Sequence, residues 1–371
     1  MTASSKPPFA GERVPFSKAF AEVSKGVSRI KQRDYLPAGD YPVVDQGQEL
    51  FAGYSNRDDG LFSDIPVIVF GDHTRHVKYV DRPFFVGADG VKILKPRLSN
   101  NVRYWYHALR NTHLENLGYS RHFKLLKQAT FCVPDEEAQR MVCDELDGIF
   151  ELIKLARRQL SLLDELVKSR FVEMFESTEW PTFPAGSVLL KMRNGVSPSK
   201  EGLCHARVLT LSAITQGSFD AESWKEGAYP SDPPCEKRVS AGEFYICRGN
   251  GNRDLVGAGE YSDTDLPDLV FPDTMIAARI NFDLISAAYL RYAWGRPAIR
   301  RQIESRARTT NGTFKINQRM LSEVLLPLPP LSLQKEFAAF AAEVAKSQVA
   351  VRQQIEKLRT LYDSLAQDYF G

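Results

Sequence analysis

A chain of 371 residues, 43% hydrophobic and 25% charged, has the make-up of a folded protein with more than one core and not of a disordered segment. Its formal net charge of +2 excludes reading a partner from total charge, so any affinity for nucleic acid has to come from where the cations lie. Five scattered cysteines without a Cys-x-x-Cys pair argue against a zinc site and for reduced thiols in cytoplasm, and no apolar stretch approaches the roughly 20 residues that span a bilayer.

Met1 to Pro15 has no apolar run behind a basic head, so no signal peptide is expected. Residues 1–133 then read as a compact α+β domain of short apolar runs punctuated by Gly and Pro, among them Tyr41-Pro-Val-Val44 and Val67-Ile-Val-Phe70. Arg103 to Leu109 reads as an amphipathic helix, followed by a loop that ends in Phe123-Lys124-Leu125. Residues 134–177 carry one long helix. Its apolar seam, Val142, Leu146, Ile149, Ile153, Ala156, Leu160, Leu163 and Val167, alternates steps of four and three, the spacing of a helix that packs on another.

The order then repeats. Residues 178–328 form a second domain that opens on Asn194-Gly195-Val196-Ser197, matching Lys25-Gly26-Val27-Ser28, followed by a strand-like run, Arg207 to Leu211. It closes on a second amphipathic helix, Ala288 to Trp294, and on Phe314-Lys315-Ile316. Residues 329–371 carry the second long helix, with Phe337, Val344, Val351, Ile355, Leu358, Tyr362, Leu365 and Tyr369 on its seam. A shift of about 195 residues lays Val142 on Phe337, Ile149 on Val344, Ala156 on Val351 and Leu163 on Leu358. Two matched stripes, neither able to bury itself alone, predict an antiparallel coiled coil and a pseudo-two-fold chain of domain, helix, domain, helix. The middles of the two domains differ.

No phosphate-loop, dinucleotide or His-Glu-x-x-His motif is present. Asp232-Pro-Pro-Cys235 has the first three letters of the motif by which amino-methyltransferases hold a flipped base, but Cys235 lacks the π face that the motif needs, so a surface turn is expected. Asp72-His73 has no third partner for acid–base work. Binding residues are better represented. From Arg291 to Met320 there are eight cations, Arg291, Arg296, Arg300, Arg301, Arg306, Arg308, Lys315 and Arg319, against one acid, Glu304. Thr310 and Asn311 lie in the same stretch as small polar donors, and Arg121-His-Phe-Lys124-Leu-Leu-Lys127 is its shorter basic counterpart. Arg57, Arg75, Arg248 and Arg253 have the fork that reads guanine, while Gln46, Gln48, Asn56, Asn250 and Asn252 have the amide that reads adenine.

In this joint order the residues resemble the specificity subunits of type I restriction–modification systems. The first half does so through Tyr41 to Gln48, Phe70-Gly-Asp-His73-Thr74-Arg75 and Phe85 to Gly90; the second through Asn194 to Pro198, Arg248-Gly-Asn-Gly251 and Asn311 to Asn317. The long helices, led by Pro134 and Pro329, resemble the spacers of that family. The resemblance implies a non-catalytic subunit whose two recognition domains each read half of a split site on double-stranded DNA, with Arg193, Ser197 and Lys200 added to the candidate contacts. It implies two adenine-N6 methyltransferase subunits as partners, and restriction subunits through them. S-adenosylmethionine, ATP and Mg would belong to those partners, and no cofactor to this chain. A cytoplasmic location and no membrane partner follow. Other readings are a recognition subunit of a methylation-only or type IIB-like complex, a catalytic methyltransferase or nuclease, and a coiled-coil scaffold that binds protein only.

A helix of about 40 residues is about 60 Å long at about 1.5 Å per residue, enough to hold two heads over grooves about 34 Å apart. Inserting four residues between Leu152 and Leu163 is therefore expected to lengthen the spacer by about 6 Å and to widen the unread gap by one or two base pairs, at about 3.4 Å each, with both half-sites kept. Mapping methylated sites checks this; an altered half-site with an unaltered gap overturns it.

Overall fold

The structure is a computed structural model that describes residues 11–87, 90–118, 120–199, 201–310 and 312–371. The chain divides into two units: Met1–Arg158 with Val351–Gly371, and Gln159–Ala350.

The first unit runs β1 (Glu12–Pro15), α1 (Phe16–Ala19), β2 (Phe20–Glu22), β3 (Tyr41–Val44), β4 (Gly53–Ser55), β5 (Val67–Gly71) and β6 (Val77–Val80). It continues through β7 (Phe85–Val86), β8 (Val91–Pro96), α2 (Val102–Arg110), α3 (Phe123–Leu126) and β9 (Thr130–Val133) into α4 (Glu136–Phe175), of which it keeps the residues up to Arg158. One antiparallel sheet has the order β2-β8-β5-β6 and a smaller one β4-β3-β7, with β3 parallel to β7. Val67 and Val69 of β5 pack with Val44, Val86 and Ile93, while Phe70, on the other face, lies 6.2 Å from the Phe123 ring. A strand buried on both faces reads as the unbroken apolar run seen in the sequence.

The second unit contains β10 (Thr182–Pro184), α5 (Ala185–Val188), β11 (Leu189–Asn194), β12 (Cys204–Leu209), α6 (Ser212–Thr215), β13 (Trp224–Tyr229), β14 (Arg238–Val239) and β15 (Glu243–Cys247). Then come β16 (Gly249–Asn250), β17 (Gly259–Tyr261), β18 (Leu266–Val270), β19 (Met275–Ile280), α7 (Ala287–Trp294) and α8 (Pro297–Arg306). Last are β20 (Arg308–Thr310), β21 (Thr313–Lys315), α9 (Gln318–Ser322), β22 (Leu325–Pro327) and α10 (Leu331–Phe370), which passes to the first unit at Val351. The order β11-β19-β15-β17 repeats β2-β8-β5-β6, and β13-β12-β18 repeats β4-β3-β7 down to its parallel pair. The middles that look unrelated as sequence thus share one frame. Along β15, Phe244 and Ile246 face the core built on Phe171 and Phe337, whereas Tyr245 and Cys247 face the core built on Leu209 and Phe271. Period-two alternation places this strand between two cores.

Each long helix is anchored to its domain in the same way. Tyr104 Oη donates to the Cys132 carbonyl at 2.9 Å, and Tyr289 Oη to the Pro327 carbonyl at 2.8 Å. Gln139 Nε2 donates to the Pro134 carbonyl and Gln334 Nε2 to the Pro329 carbonyl, both at 2.9 Å. Their Oε1 atoms accept from Ser99 Oγ and Ser286 N. Both glutamines are buried, and an unpaired buried amide costs about 1–3 kcal/mol, so each latch fixes where its helix starts.

Both helices are continuous over 40 residues. In the first unit Phe150 stacks on Tyr362 with ring centroids 4.6 Å apart, and Tyr369 Oη bonds Glu145. In the second, Phe171 and Phe175 enclose Phe337 at 5.4 and 5.6 Å, Gln348 donates to Asp164 at 2.7 Å and Arg170 pairs with Glu336. Rising numbers on α4 meet falling numbers on α10, so the segments pair antiparallel within each unit. Val142, Ile149, Ala156, Phe337, Val344 and Val351 are buried, and Leu163 and Leu358 half-buried. Phe171 and Ala366 belong to the buried seam as well, and Gln348, polar at a seam position, is satisfied by its bond to Asp164.

Two sequence matches do not hold. Phe123-Lys-Leu is a helical turn, but Phe314-Lys315 is a strand, because Gly312 at φ +72° turns the chain into the β20–β21 hairpin. The run from Arg207 leaves its strand after Leu209.

His107 ties α2 to both long helices within the first unit. Its Nε2 lies 2.8 Å from Asp147 Oδ1 and its Nδ1 3.3 Å from Tyr362 Oη, while Arg103 bonds both oxygens of Asp147 at 2.8 Å. Burial outweighs the pull of Asp147 and holds the imidazole below its ordinary value of 6.5, so it is neutral in the fold. Below pH 6.5 the unfolded chain takes up a proton that the folded chain resists, so this contribution is present above 6.5 and lost as pH falls. Amide exchange of α2 is expected to quicken from pH 7 to 5, after correction for intrinsic rates, and the His107→Asn variant is expected to lose that pH-dependence.

Candidate nucleic-acid interface

In the first unit, three loops converge at the ends of β3, β5 and α3. Gln46 Oε1 accepts from the His73 backbone N–H at 3.2 Å, and Thr74 Oγ1 donates to the Gln46 carbonyl. Arg75, at φ +61°, donates to the Leu114 carbonyl at 3.1 Å. Gly90 has to be glycine: a Cβ there would lie 2.7 Å from Gln46 Oε1, and its φ is +91°. With its oxygen engaged, the Gln46 amide nitrogen has no partner among the described residues, which leaves a donor for a ligand. Gln48 is exposed on the same loop, and Arg121 and Lys124 are exposed at α3. The Asp72 carboxylate accepts from Phe123 N at 2.8 Å and so serves the start of α3.

Asn56 and Arg57 are not part of this group. Asn56 Oδ1 accepts from Asp40 N at 2.8 Å, and Arg57 forks onto Asp59, whose hydrogen bond and charge raise its pKa. Sequence reasoning passed over Lys78. It is 5% exposed, with Nζ 3.4 Å from Asp45 Oδ1, and the same oxygen accepts from Gly47 N at 2.8 Å. Burial lowers the pKa of this amine, only partly countered by Asp45. The pair braces the turn that presents Gln46. A charged residue inside the strand pattern Val77-Lys-Tyr-Val80 was the available signal.

In the second unit β16, β21 and β20 form a small sheet that joins the two stretches singled out in sequence. Lys315 lies opposite Gly249 on one side and opposite Arg308 on the other. Arg308 and Lys315 are exposed and have no carboxylate partner among the described residues. Arg253 lies 5.9 Å over the Phe314 ring and donates to the Glu304 carbonyl. Asn250 and Asn252 each accept a backbone N–H two residues on, and Arg248 donates to the Asp273 carbonyl at 3.1 Å. Thr310 ends β20; Asn311 and Lys200 lie outside the described residues.

Folding dissolves most of the eight-cation run. Arg291 pairs with Glu260, Arg296 with Glu176, Arg300 with two carbonyls and Glu304, and Arg319 with Glu323. Arg306 donates to the carbonyl of Gln302 at 3.0 Å, within its own helix end. Arg193 is likewise held, by the Glu236 carbonyl and Glu243 at 2.7 Å each, while Ser197 is exposed. Asp232 of the Asp-Pro-Pro-Cys stretch is bound to Arg238 in a surface turn. Among the described residues no cluster of three or more His, Cys, Asp or Glu could hold a metal, and no helix is long and apolar enough to cross a membrane.

No protein-family model and no curated protein matches the chain. Solved structures do. The type I restriction–modification system S subunit from M. genitalium superposes with a TM-score of 0.56 over 98% of this chain and 97% of that one, at 13% identity. A chain from a study of complex assembly and conformational transition of the type I R-M system gives 0.55 over 99% and 98%, at 14% identity. The chain has the fold of type I restriction–modification S subunits. The likeness extends over both sheet frames and both long helices, and the sites above lie on loops of the first unit and on the β16-β21-β20 sheet and its adjoining loop in the second.

Proposed function

We propose that the chain is the DNA-specificity subunit of a type I restriction–modification complex, with one half of a bipartite site read by each unit. The observation that carries this reading is the exposed pairing of Arg308 with Lys315 across two strands. Like charges directly opposite in a sheet repel, so the arrangement costs stability unless an anion lies between them, and a DNA phosphate is such an anion. Asn250, Asn252 and Arg253 on the adjoining loop supply the base-reading side chains there, and Gln46, Gln48 and Arg75 supply them in the first unit. These are donors and forks without a nucleophile or a metal ligand set, which favours recognition over catalysis.

Methylation and cleavage then fall to methyltransferase and restriction subunits, which bring S-adenosylmethionine, ATP and Mg. Exposed leucines on α4, Leu152 and Leu155 in the first unit and Leu162 and Leu166 in the second, offer apolar surface for two methyltransferase subunits. DNA within the cytoplasm is the expected target.

Binding to duplexes that carry and lack the site, measured by fluorescence anisotropy with the methyltransferase partner from about 50 to 200 mM salt, tests the reading. The double variant Arg308→Ala, Lys315→Ala is expected to weaken binding to all sequences and to reduce the salt slope by about 0.9, for the one phosphate between the two cations. Gln46→Ala is expected to leave the slope alone and to relax one base pair by about 1–3 kcal/mol. A double variant that relaxes a single position at an unchanged slope reverses the assignment.

A further inference from the structure

A recess of about 450 Å³ in the first unit lies between the end of α2, the first part of α4 and the last part of α10. Arg110, Lys154, Arg157 and Arg359 line it against a single acid, Asp363, and Phe150 and Tyr362 form its aromatic wall. We propose that this recess is a binding site for phosphate esters, either the polyphosphate of a free nucleotide or the phosphates of a DNA strand.

Arg110 is held in place without being neutralised. Arg110 lies 5.2 Å over the Phe150 ring and 5.8 Å over that of Tyr362, and donates to Tyr106 Oη at 3.4 Å. Such contacts fix a guanidinium and leave its charge available. Tyr362 is itself fixed by Asn111 at 3.1 Å and by His107. Arg110 and Arg157 have no carboxylate partner among the described residues. Lys154 and Arg359 pair only with Glu151 and Glu356, three residues back on their own helices. Exposed pairs of that kind are weak and give way readily to a multivalent anion. Like charges around a concave wall also focus the positive field inside it.

The frame does not require this chemistry. At the shifts that superimpose the two halves, Arg110, Lys154, Arg157 and Arg359 correspond to Gly295, Val349, Arg352 and Asp164, and Phe150 and Tyr362 to Ala345 and Val167. The second half keeps the helices and lacks the basic, aromatic wall. The feature was therefore acquired or kept by one half alone, independently of the interface at Arg308 and Lys315.

Titration calorimetry of the full chain with inorganic tripolyphosphate, and separately with a short duplex, tests the proposal. Tripolyphosphate is expected to bind at one site. Arg157→Glu with Arg359→Glu should weaken it at least tenfold, and Asp363→Asn should tighten it, which a damaged fold would not do. If duplex affinity also falls in the charge-reversal variant, and tripolyphosphate competes with the duplex, the natural ligand is a DNA strand; if duplex affinity holds, it is a free polyphosphate. Absent tripolyphosphate binding, or binding that the charge-reversal variant leaves unchanged, overturns the site.

Discussion

A helix of 40 residues with a single apolar stripe cannot bury that stripe on itself, and the rest of the fold follows from where the chain finds the second stripe. Val142, Ile149 and Ala156 are covered in a unit that includes Val351–Gly371, while Val167, Phe171 and Phe175 are covered in a unit that includes Phe337 and Val344. The first unit is not a contiguous piece of chain, whereas the second is. The first cannot be completed from residues 1–158, because the ring that stacks on Phe150 comes from position 362. Contacts of such sequence separation are slow to form, since the loop must close before they stabilise anything.

Burying a helix start exposes a second constraint, since its first backbone groups need partners. In the first unit Ala138 N–H finds the Asp135 carboxylate at 2.8 Å. In both units a buried glutamine serves the polar groups around the helix start, its nitrogen donating to a proline carbonyl and its oxygen accepting from Ser99 Oγ in the first and from the Ser286 N–H in the second. A Leu or Met at either position would leave those groups orphaned, at about 1–3 kcal/mol each. Geometry of this kind tolerates wide change elsewhere. That is why β12 and β3, or β15 and β5, keep their neighbours in the sheets while sharing almost no sequence.

What was legible in the sequence was whatever has a period. The seams, the amphipathic helices around His107 and Tyr292, and the repeat near 195 residues all rest on spacing, and spacing survives drift. The common sheet order of the two middles was not legible, because parallel pairing of β12 with β18 joins residues some 60 apart and leaves no local signal. Gly312 likewise decided that Phe314 sits in a strand while Phe123 sits in a helical turn, although the letters around the two phenylalanines agree. For the candidate site, chemistry was readable and proximity was not. Gln46 and His73 were singled out separately, and their contact depends on Gly71 and Gly90, where a Cβ would intrude. Lys78 was missed because a lysine in a strand normally faces water, and here Asp45 draws it inward.

The basic run from Arg291 to Arg319 shows why a count of charges misleads in a fold of this kind. A guanidinium offers five donors, and a protein with many exposed carbonyls at helix and strand ends can use them internally. Arg300 and Arg306 are spent on such carbonyls, and Arg291 is drawn to a nearly buried Glu260, whose carboxyl burial pushes up and the arginine pulls back down. What distinguishes Arg308 and Lys315 is that each has a cation as its cross-strand neighbour. Internal pairing explains every arginine whose partner is an oxygen. It gives no reason for two cations to be placed side by side, and an external anion does.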